Sequence, residues 1–426
     1  MRPHIEQVSM QRYTSSYLKT TALLTLATIA AVLLANNVGV LTSGVIARAL
    51  SALFGGFAAL LGVVAASGWV VLQRQRRVES GREDLFWHLT QPRREAALAA
   101  PNGFRAGPLR RLIARWTLGH DFLAGDEIEI LSVPEILATL DERGMRGGIP
   151  FQAEMVKFCG ARGRVFRSVD KIYDYGRSKK MRRLKHCVLI SGLRCDGAQH
   201  GGCQALCYLM WNVAWLQTPG AKQRSVSTPA AGEVAASRVS AAAPDAAGAE
   251  RYLCQFTQLH AASTPVGSWD VRKDLRPWIA GNITLATLCV GLATRAFNFF
   301  QGLRGGIGFP AMPLRSDNGA AGPISSLSVN DRIKVRPITE IALTLNKNSK
   351  NKGLWFDRDM IKHCGTTQRV LARVDKIIDD ATGEMRQMKT PCIVLADVDY
   401  SGEFLHFNAQ HDYFFWREAW LERTTS

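Results

Sequence analysis

No cysteine occurs before Cys159, and the nine in the chain are bunched, with Cys187, Cys195, Cys203 and Cys207 close together. An odd, clustered set excludes a disulfide framework across the whole chain and points to metal ligation or thiol chemistry in a reducing compartment. The chain also lacks a GxxxxGK[ST] phosphate loop, an HExxH helix and a GxSxG elbow, which disfavours a nucleotide enzyme or an ordinary hydrolase. Charged residues reach only 21% beside 47% hydrophobic ones, a balance that excludes a disordered or fibrous protein. Acidic residues are in deficit, 36 against 53 Lys and Arg, for a net charge of +17. Such an excess suits nucleic acid, an anionic membrane surface or an acidic partner. Much of it lies beside apolar segments, as at Arg74, Arg76 and Arg77 and at Arg105, Arg110, Arg111 and Arg115, which favours lipid over nucleic acid.

Two long apolar runs stand near the start, Thr20 to Ala35 and Ala49 to Leu72, and the second carries no charge. The second is of a length to cross a hydrocarbon core, and with the first it reads as a transmembrane helical hairpin over residues 1–78 with a turn near Asn36, Asn37 and Gly39. Arg2, Arg12 and Lys19 before it and Arg74, Arg76 and Arg77 after it place both ends in the cytoplasm of an inner membrane. A secretory signal is the competing reading of the first run. Residues 79–124, with Phe86, Trp87, Leu109, Leu112, Ile113 and Trp116 among arginines, read as a basic juxtamembrane connector lying on the membrane surface or packed on the next domain.

The rest of the chain matches itself at one constant shift. Asp126 and Asp331 stand 205 positions apart, and so do Glu135 and Glu340, Thr139 and Thr344, Phe151 and Phe356, and Met155 and Met360. Cys159-Gly160 meets Cys364-Gly365, Val169-Asp170-Lys171 meets Val374-Asp375-Lys376, and Cys187 meets Cys392. Trp211 and Ala214-Trp215-Leu216 recur as Trp416 and Ala419-Trp420-Leu421. Two copies of one small domain follow, at 125–217 and 329–424. Each opens on a two-residue alternation, Asp126 to Ile130 or Asp331 to Val335, which predicts a half-buried strand. An apolar strand begins at Cys187 and at Cys392. Several short strands and one short helix in such a span predict a mainly β fold with some α, two tandem SH3-like barrels behind the hairpin. Residues 218–250, rich in Ala, Ser, Gly and Pro, form a flexible linker, and 251–328 an amphipathic helical connector whose apolar stretch Ile279 to Leu303 fits an interfacial helix.

The first copy carries Cys195, His200, Cys203 and Cys207 within thirteen positions, interleaved with Gly197, Gly201 and Gly202, and Cys159 is a fifth candidate from elsewhere in the barrel. Thiolate and imidazole are the donors zinc and iron-sulfur centres prefer, and the glycines let the backbone close around one ion. The CxxxxHxxCxxxC spacing lacks paired CxxC knuckles, and buried thiols are common in cores without any ligand. The second copy is an internal control: the same positions hold Tyr400, Leu405, Asn408 and Asp412. Cys187 and Cys392, present in both, read as core residues, Cys254 and Cys289 as buried thiols, and His406 and His411 as surface positions.

The phrases Leu193-Arg-Cys-Asp-Gly197, His200-Gly-Gly-Cys-Gln204, Met210-Trp211 and Ala214-Trp-Leu216 resemble a family of uncharacterised bacterial proteins with the same two-copy organisation, the likeness running from about Gly125 to the C terminus. Members look soluble and tend to keep cysteines where this chain has Val398 to Asn408, so the chain departs from them in both respects, and the resemblance implies organisation rather than an activity. Three functions suit the sequence. One is a membrane-bound adaptor with a structural metal and a protein partner. Another is a redox or catalytic centre of the iron-sulfur or thiol kind, with Asp196 or Gln204 near an open position. The third is a nucleic-acid binder using the basic tip Arg177 to Lys185.

Overall fold

In the computed structural model, residues 2–41, 45–79, 107–221, 242–244, 250–267, 270, 272–312 and 326–424 are described, so Phe86 and Trp87 and most of the 218–250 linker lie outside the described residues. Two long helices, α1 (Arg2–Leu41) and α2 (Val45–Glu79), pack side by side. Tyr13–Ala35 and Ser51–Val78 within them are long and apolar enough to cross a membrane. The helix α1 continues through Asn36, Asn37 and Gly39, where the sequence predicts a turn; helix propensity is a weak prior inside a long apolar segment. The hydroxyls of Thr20, Thr21, Thr25 and Thr28 each bond the carbonyl four residues back, which satisfies them without water. A Cβ on Gly68 would come within 2.5 Å of the Thr21 hydroxyl, so the missing side chain sets how closely the helices approach.

Three further helices, α3 (Pro108–Leu118), α4 (Gln255–Ala262) and α5 (Arg272–Ile279), are short, and α6 (Leu285–Leu303) lies along α2. The chain is therefore helical and sheet-bearing rather than mainly β: the hairpin and α6 put more residues into helix than the short strands put into sheet.

The longer strands form two half-barrel sheets, beside smaller two- and three-stranded ones. The first contains β1 (Glu127–Ile130), β2 (Arg162–Val169), β3 (Cys187–Arg194), β4 (Tyr208–Asn212) and β5 (Leu216–Gln217) in the order β4-β3-β2-β1-β5. The second contains β6 (Arg332–Val335), β7 (Thr367–Ile378), β8 (Met385–Leu395) and β9 (Leu421–Arg423) in the order β8-β7-β6-β9. Their pairing repeats residue for residue at the sequence shift. Glu127 faces Arg164 as Arg332 faces Arg369, Val169 faces Cys187 as Val374 faces Cys392, and both long ladders slip after Val165 and Val370. Where β3 and β4 pair Val188 with Trp211 and Arg194 with Tyr208, the second copy keeps isolated bridges of Ile393 with Trp416 and Asp399 with Tyr413.

Alternation puts Ile128 and Ile130, or Ile333 and Val335, into the cores, and Trp211, Trp215, Trp416 and Trp420 are fully buried. Each such side chain contributes roughly 2–3 kcal/mol by leaving water. The indole N–H of Trp215 donates to Thr139 at 3.0 Å and that of Trp420 to Thr344 at 2.9 Å, a buried polar handle retained in both copies.

The segment after the linker belongs to the first core. Phe256 and Leu259 of α4 pack into it, and the Gln255 side-chain amide accepts from Met210 N (2.7 Å) and donates to Met210 O (2.8 Å), as a neighbouring strand would. Asn282 does the same for Ser168.

The copies meet in part through residues at matching positions. Gly176 packs on Asp380 and Ala381, the latter its own counterpart. The Arg194 guanidinium lies between Tyr208 (3.8 Å) and the counterpart tyrosine, Tyr413 (4.0 Å), with Asp399, the counterpart of Arg194 itself, 3.9 Å away. Residues 201–204 lean on β7, and in return Ala409 enters the first core and the His411 ring meets Phe166 at 5.0 Å. His411 is thus buried between the copies rather than at the surface, while His406 is partly exposed beside Asp274.

Arg74, expected as a free flanking charge, is completely buried. Its guanidinium pairs with both Glu403 carboxylate oxygens and donates to Thr294 at 2.7 Å, lying 4.5 Å over the Phe309 ring. The end of α2 is therefore fastened to α6 and to the second copy.

Candidate metal centre

The loop between β3 and β4 carries the cysteine and histidine cluster. Its shape comes from Gly197, which has a positive φ of 69°, and a Cβ there would sit 1.9 Å from the Cys203 carbonyl oxygen. His200 N donates to Gly197 O and Cys203 N to His200 O, while Cys195 N closes the loop on Cys207 O at 2.8 Å. In the second copy Gly402, with φ 80°, packs on the Asn408 carbonyl; Leu405 N bonds Gly402 O, Asn408 N bonds Leu405 O, and Tyr400 N closes on Asp412 O. One backbone is thus built twice, once with ligand-type side chains and once without them.

Among the described residues, one group of three places ligand atoms all within 4.8 Å of one another: Glu154, Cys195 and His200. His200 is 2% exposed, with Nδ1 2.5 Å from Glu154 Oε1 and 4.0 Å from Cys195 Sγ, and Cys195 Sγ is 4.0 Å from the same carboxylate oxygen. Nε2 of the ring lies 2.7 Å from the Gln152 amide. Glu154 comes from the 3₁₀ turn Ala153–Phe158, and Gln199 N donates to it at 3.1 Å.

Burial works to raise the Glu154 pKa, but the hydrogen bond and charge of His200 outweigh it and hold the carboxyl below its ordinary range. Burial pushes the Cys195 thiol up to about 12, and the Glu154 carboxylate adds to the shift. A cation held by this thiol would have to displace its proton.

Cys203, Cys207 and Cys254 line a cavity of about 30 Å³ together with Cys195, His200 and Gln152, and Ile378 of the second copy closes it. Burial raises the thiol of Cys254 to about 11, and raises that of Cys207 strongly, with Asp412 and Asp380 adding to it. Cys159 stands apart from this cavity: its Sγ donates to Met155 O at 3.7 Å, as Cys364 Sγ does to Met360 O in the second copy. Cys187 and Cys392 are buried in the strands. Neither residue expected beside an open position points there. The Asp196 carboxylate is held by Lys157 at 2.5 Å, with both side chains about half exposed, and Gln204 turns to the second copy.

Sequence reasoning missed Glu154, Gln152 and Cys254. The first had a signal, because Asp359 keeps an acidic side chain at the matching place. In the second copy that carboxylate accepts from Ser401 N (2.7 Å), Ser401 Oγ (2.8 Å) and Lys362 (2.9 Å) instead of facing an imidazole.

The basic tip is partly consumed in folding. Arg182 is buried and bonds His260 O and the Ser263 hydroxyl, and Arg183 reaches Thr117 O; Arg177, Lys179, Lys180 and Lys185 remain exposed. No family model, curated protein or solved structure matches the chain.

Proposed function

We propose that this chain is a membrane-anchored metal-binding protein of the adaptor or accessory kind, whose two small SH3-like barrels are held at the cytoplasmic face of an inner membrane. The observation that carries the reading is the convergence of Glu154, Cys195 and His200 on a loop whose backbone the second copy reproduces without them. A structural need of the scaffold would have kept the ligands in both copies. One carboxylate, one imidazole and one thiol suit zinc better than an iron-sulfur cluster, which takes its ligands chiefly from cysteine thiolates. His200 Nδ1 would face the ion; the Gln152 amide nitrogen lies 2.7 Å from Nε2, and with that amide turned over its oxygen would accept from Nε2–H as the outer partner that fixes a liganding imidazole.

The anchor reading rests on the outer faces of the hairpin. Leu23, Leu26 and Leu33 of α1 and Leu53, Phe57 and Leu60 of α2 are all more than half exposed, and an apolar surface of that kind calls for lipid or a partner. Exposed Leu109, Leu112 and Trp116 on α3 and Phe299 and Leu303 on α6 extend it as interfacial helices.

The test is metal analysis of the full chain purified in detergent micelles. About one tightly held, colourless zinc ion per chain is expected, lost in Cys195→Ser and His200→Ala, with affinity rising with pH as the thiol proton is displaced. A wild-type protein that stays metal-free after exposure to zinc would overturn the reading.

A further inference from the structure

We propose that the metal centre is completed across the two copies: Cys203 is its fourth ligand, and the second copy holds that sulfur in place through the Ile378 backbone N–H. This deepens the metal reading above and rests on it. Three converging ligand atoms leave a tetrahedral ion one position short, and structural zinc sites are closed by four protein ligands. Cys203 follows His200 by a single tight turn and lines the same cavity. Its Sγ already accepts a hydrogen bond from Ile378 N at 3.4 Å. An N–H aimed at sulfur stabilises the thiolate that a metal requires, since hydrogen bonds to charged acceptors are the stronger ones.

The rest of the contact reads as a clamp on that sulfur. Gln204 Oε1 accepts from Asp375 N at 2.6 Å and Lys376 N at 3.1 Å, and Gln204 N donates to Lys376 O at 3.1 Å. Lys376 Nζ donates to Gly201 O at 2.7 Å. Residues 201–204 are thereby pinned to the end of β7 on both sides of Cys203. The reciprocal contact is not equivalent. Ala409 stands where the first copy has Gln204 and has no side-chain amide, and Asn408 replaces Cys203. A duplicate that has shed its own ligands thus retains a second-layer role toward its sibling, which supplies a reason for both copies to persist in one chain. Outer-layer donors of this kind typically change metal affinity by about 10–100-fold.

The experiment is a cobalt(II) titration of the full chain in detergent micelles, reading the thiolate-to-cobalt charge-transfer absorption and the affinity. The wild type is expected to show the intensity of two thiolates, Cys203→Ser about half of it, and Cys207→Ser the wild-type value. Gln204→Ala keeps every ligand, so its visible spectrum should stay tetrahedral and unchanged in shape while affinity falls about tenfold or more. Lys376→Met, a milder cut in the same clamp, should weaken binding several-fold and serves if Gln204→Ala does not fold. Cobalt bound through one thiolate, loss of the second thiolate in Cys207→Ser instead, or wild-type affinity in the folded clamp variants would overturn the shared site while leaving a metal centre in the first copy. A wild type that takes up no cobalt would remove both.

Discussion

The two β3–β4-type loops share a backbone and differ in what they hold. In the first, buried polar groups converge on one point: Glu154, Cys195 and His200. In the second, the same path encloses Tyr400 and Leu405, and the surviving carboxylate of Asp359 is satisfied by Ser401 and Lys362. Where the first loop has Ala198, the second has Glu403, which receives Arg74 from the hairpin. The scaffold does not depend on the ligand-type residues, and the two loops differ in what they meet, one gathering a carboxylate, a thiol and an imidazole and the other receiving the arginine of the helical hairpin.

The comparison can be broken most sharply by converting the first loop toward the second. His200→Leu installs the residue found at 405; zinc content measured by elemental analysis should fall below about a tenth of wild type. The melting temperature of the metal-free protein should move by only about 2 °C, because the same turn already closes over a leucine. The opposite conversion, Glu403→Ala, removes the carboxylate partner of a fully buried guanidinium and should cost about 3–5 kcal/mol, read as a lowered denaturation midpoint in micelles; an unchanged midpoint would show that the helical hairpin is not fastened there.

Trp215→Phe and Trp420→Phe each remove one indole bond to threonine and part of a packed ring. Losses of about 1–3 kcal/mol are expected, equal in the two copies within roughly 0.5 kcal/mol if the cores are as alike as their registers. The smallest effect concerns Asp357, which stands where the first copy has Gln152. Burial and the neighbouring Asp359 push its carboxyl up to about 6. Its protonated form is favoured by the fold, so its contribution is fully present below the unfolded value near 4 and is lost as pH rises through about 6. Asp357→Asn should therefore raise the melting temperature by roughly 1–2 °C at pH 8 and leave it nearly unchanged at pH 4.

Much of this was legible in the chain. The alternation in Glu127 to Ile130 and Arg332 to Val335 marked real strands, and the constant shift carried the pairing register, because side chains that alternate across a half-buried sheet fix its register. Cys195 and His200 were readable because they are close in sequence and interleaved with glycine. Glu154 was not, since it lies 41 positions before Cys195 and meets it only when a 3₁₀ turn folds under the loop. The contact between the copies was equally hidden: Tyr208 and Tyr413 look like ordinary strand residues until one arginine is seen between them. Arg74 misled for a related reason, as a positive residue after an apolar run carries the same signature whether it meets water or a distant carboxylate.

The Arg74 and Glu403 pairing also bears on how the protein can be cut. A fragment beginning after the hairpin would retain Glu403 without its guanidinium, leaving a carboxylate almost out of reach of water, and would expose the face of α6 that α2 now covers. Excising the apolar hairpin to gain solubility therefore removes an internal counter-ion along with it, and the second copy, rather than the first, is where such a fragment should first come apart.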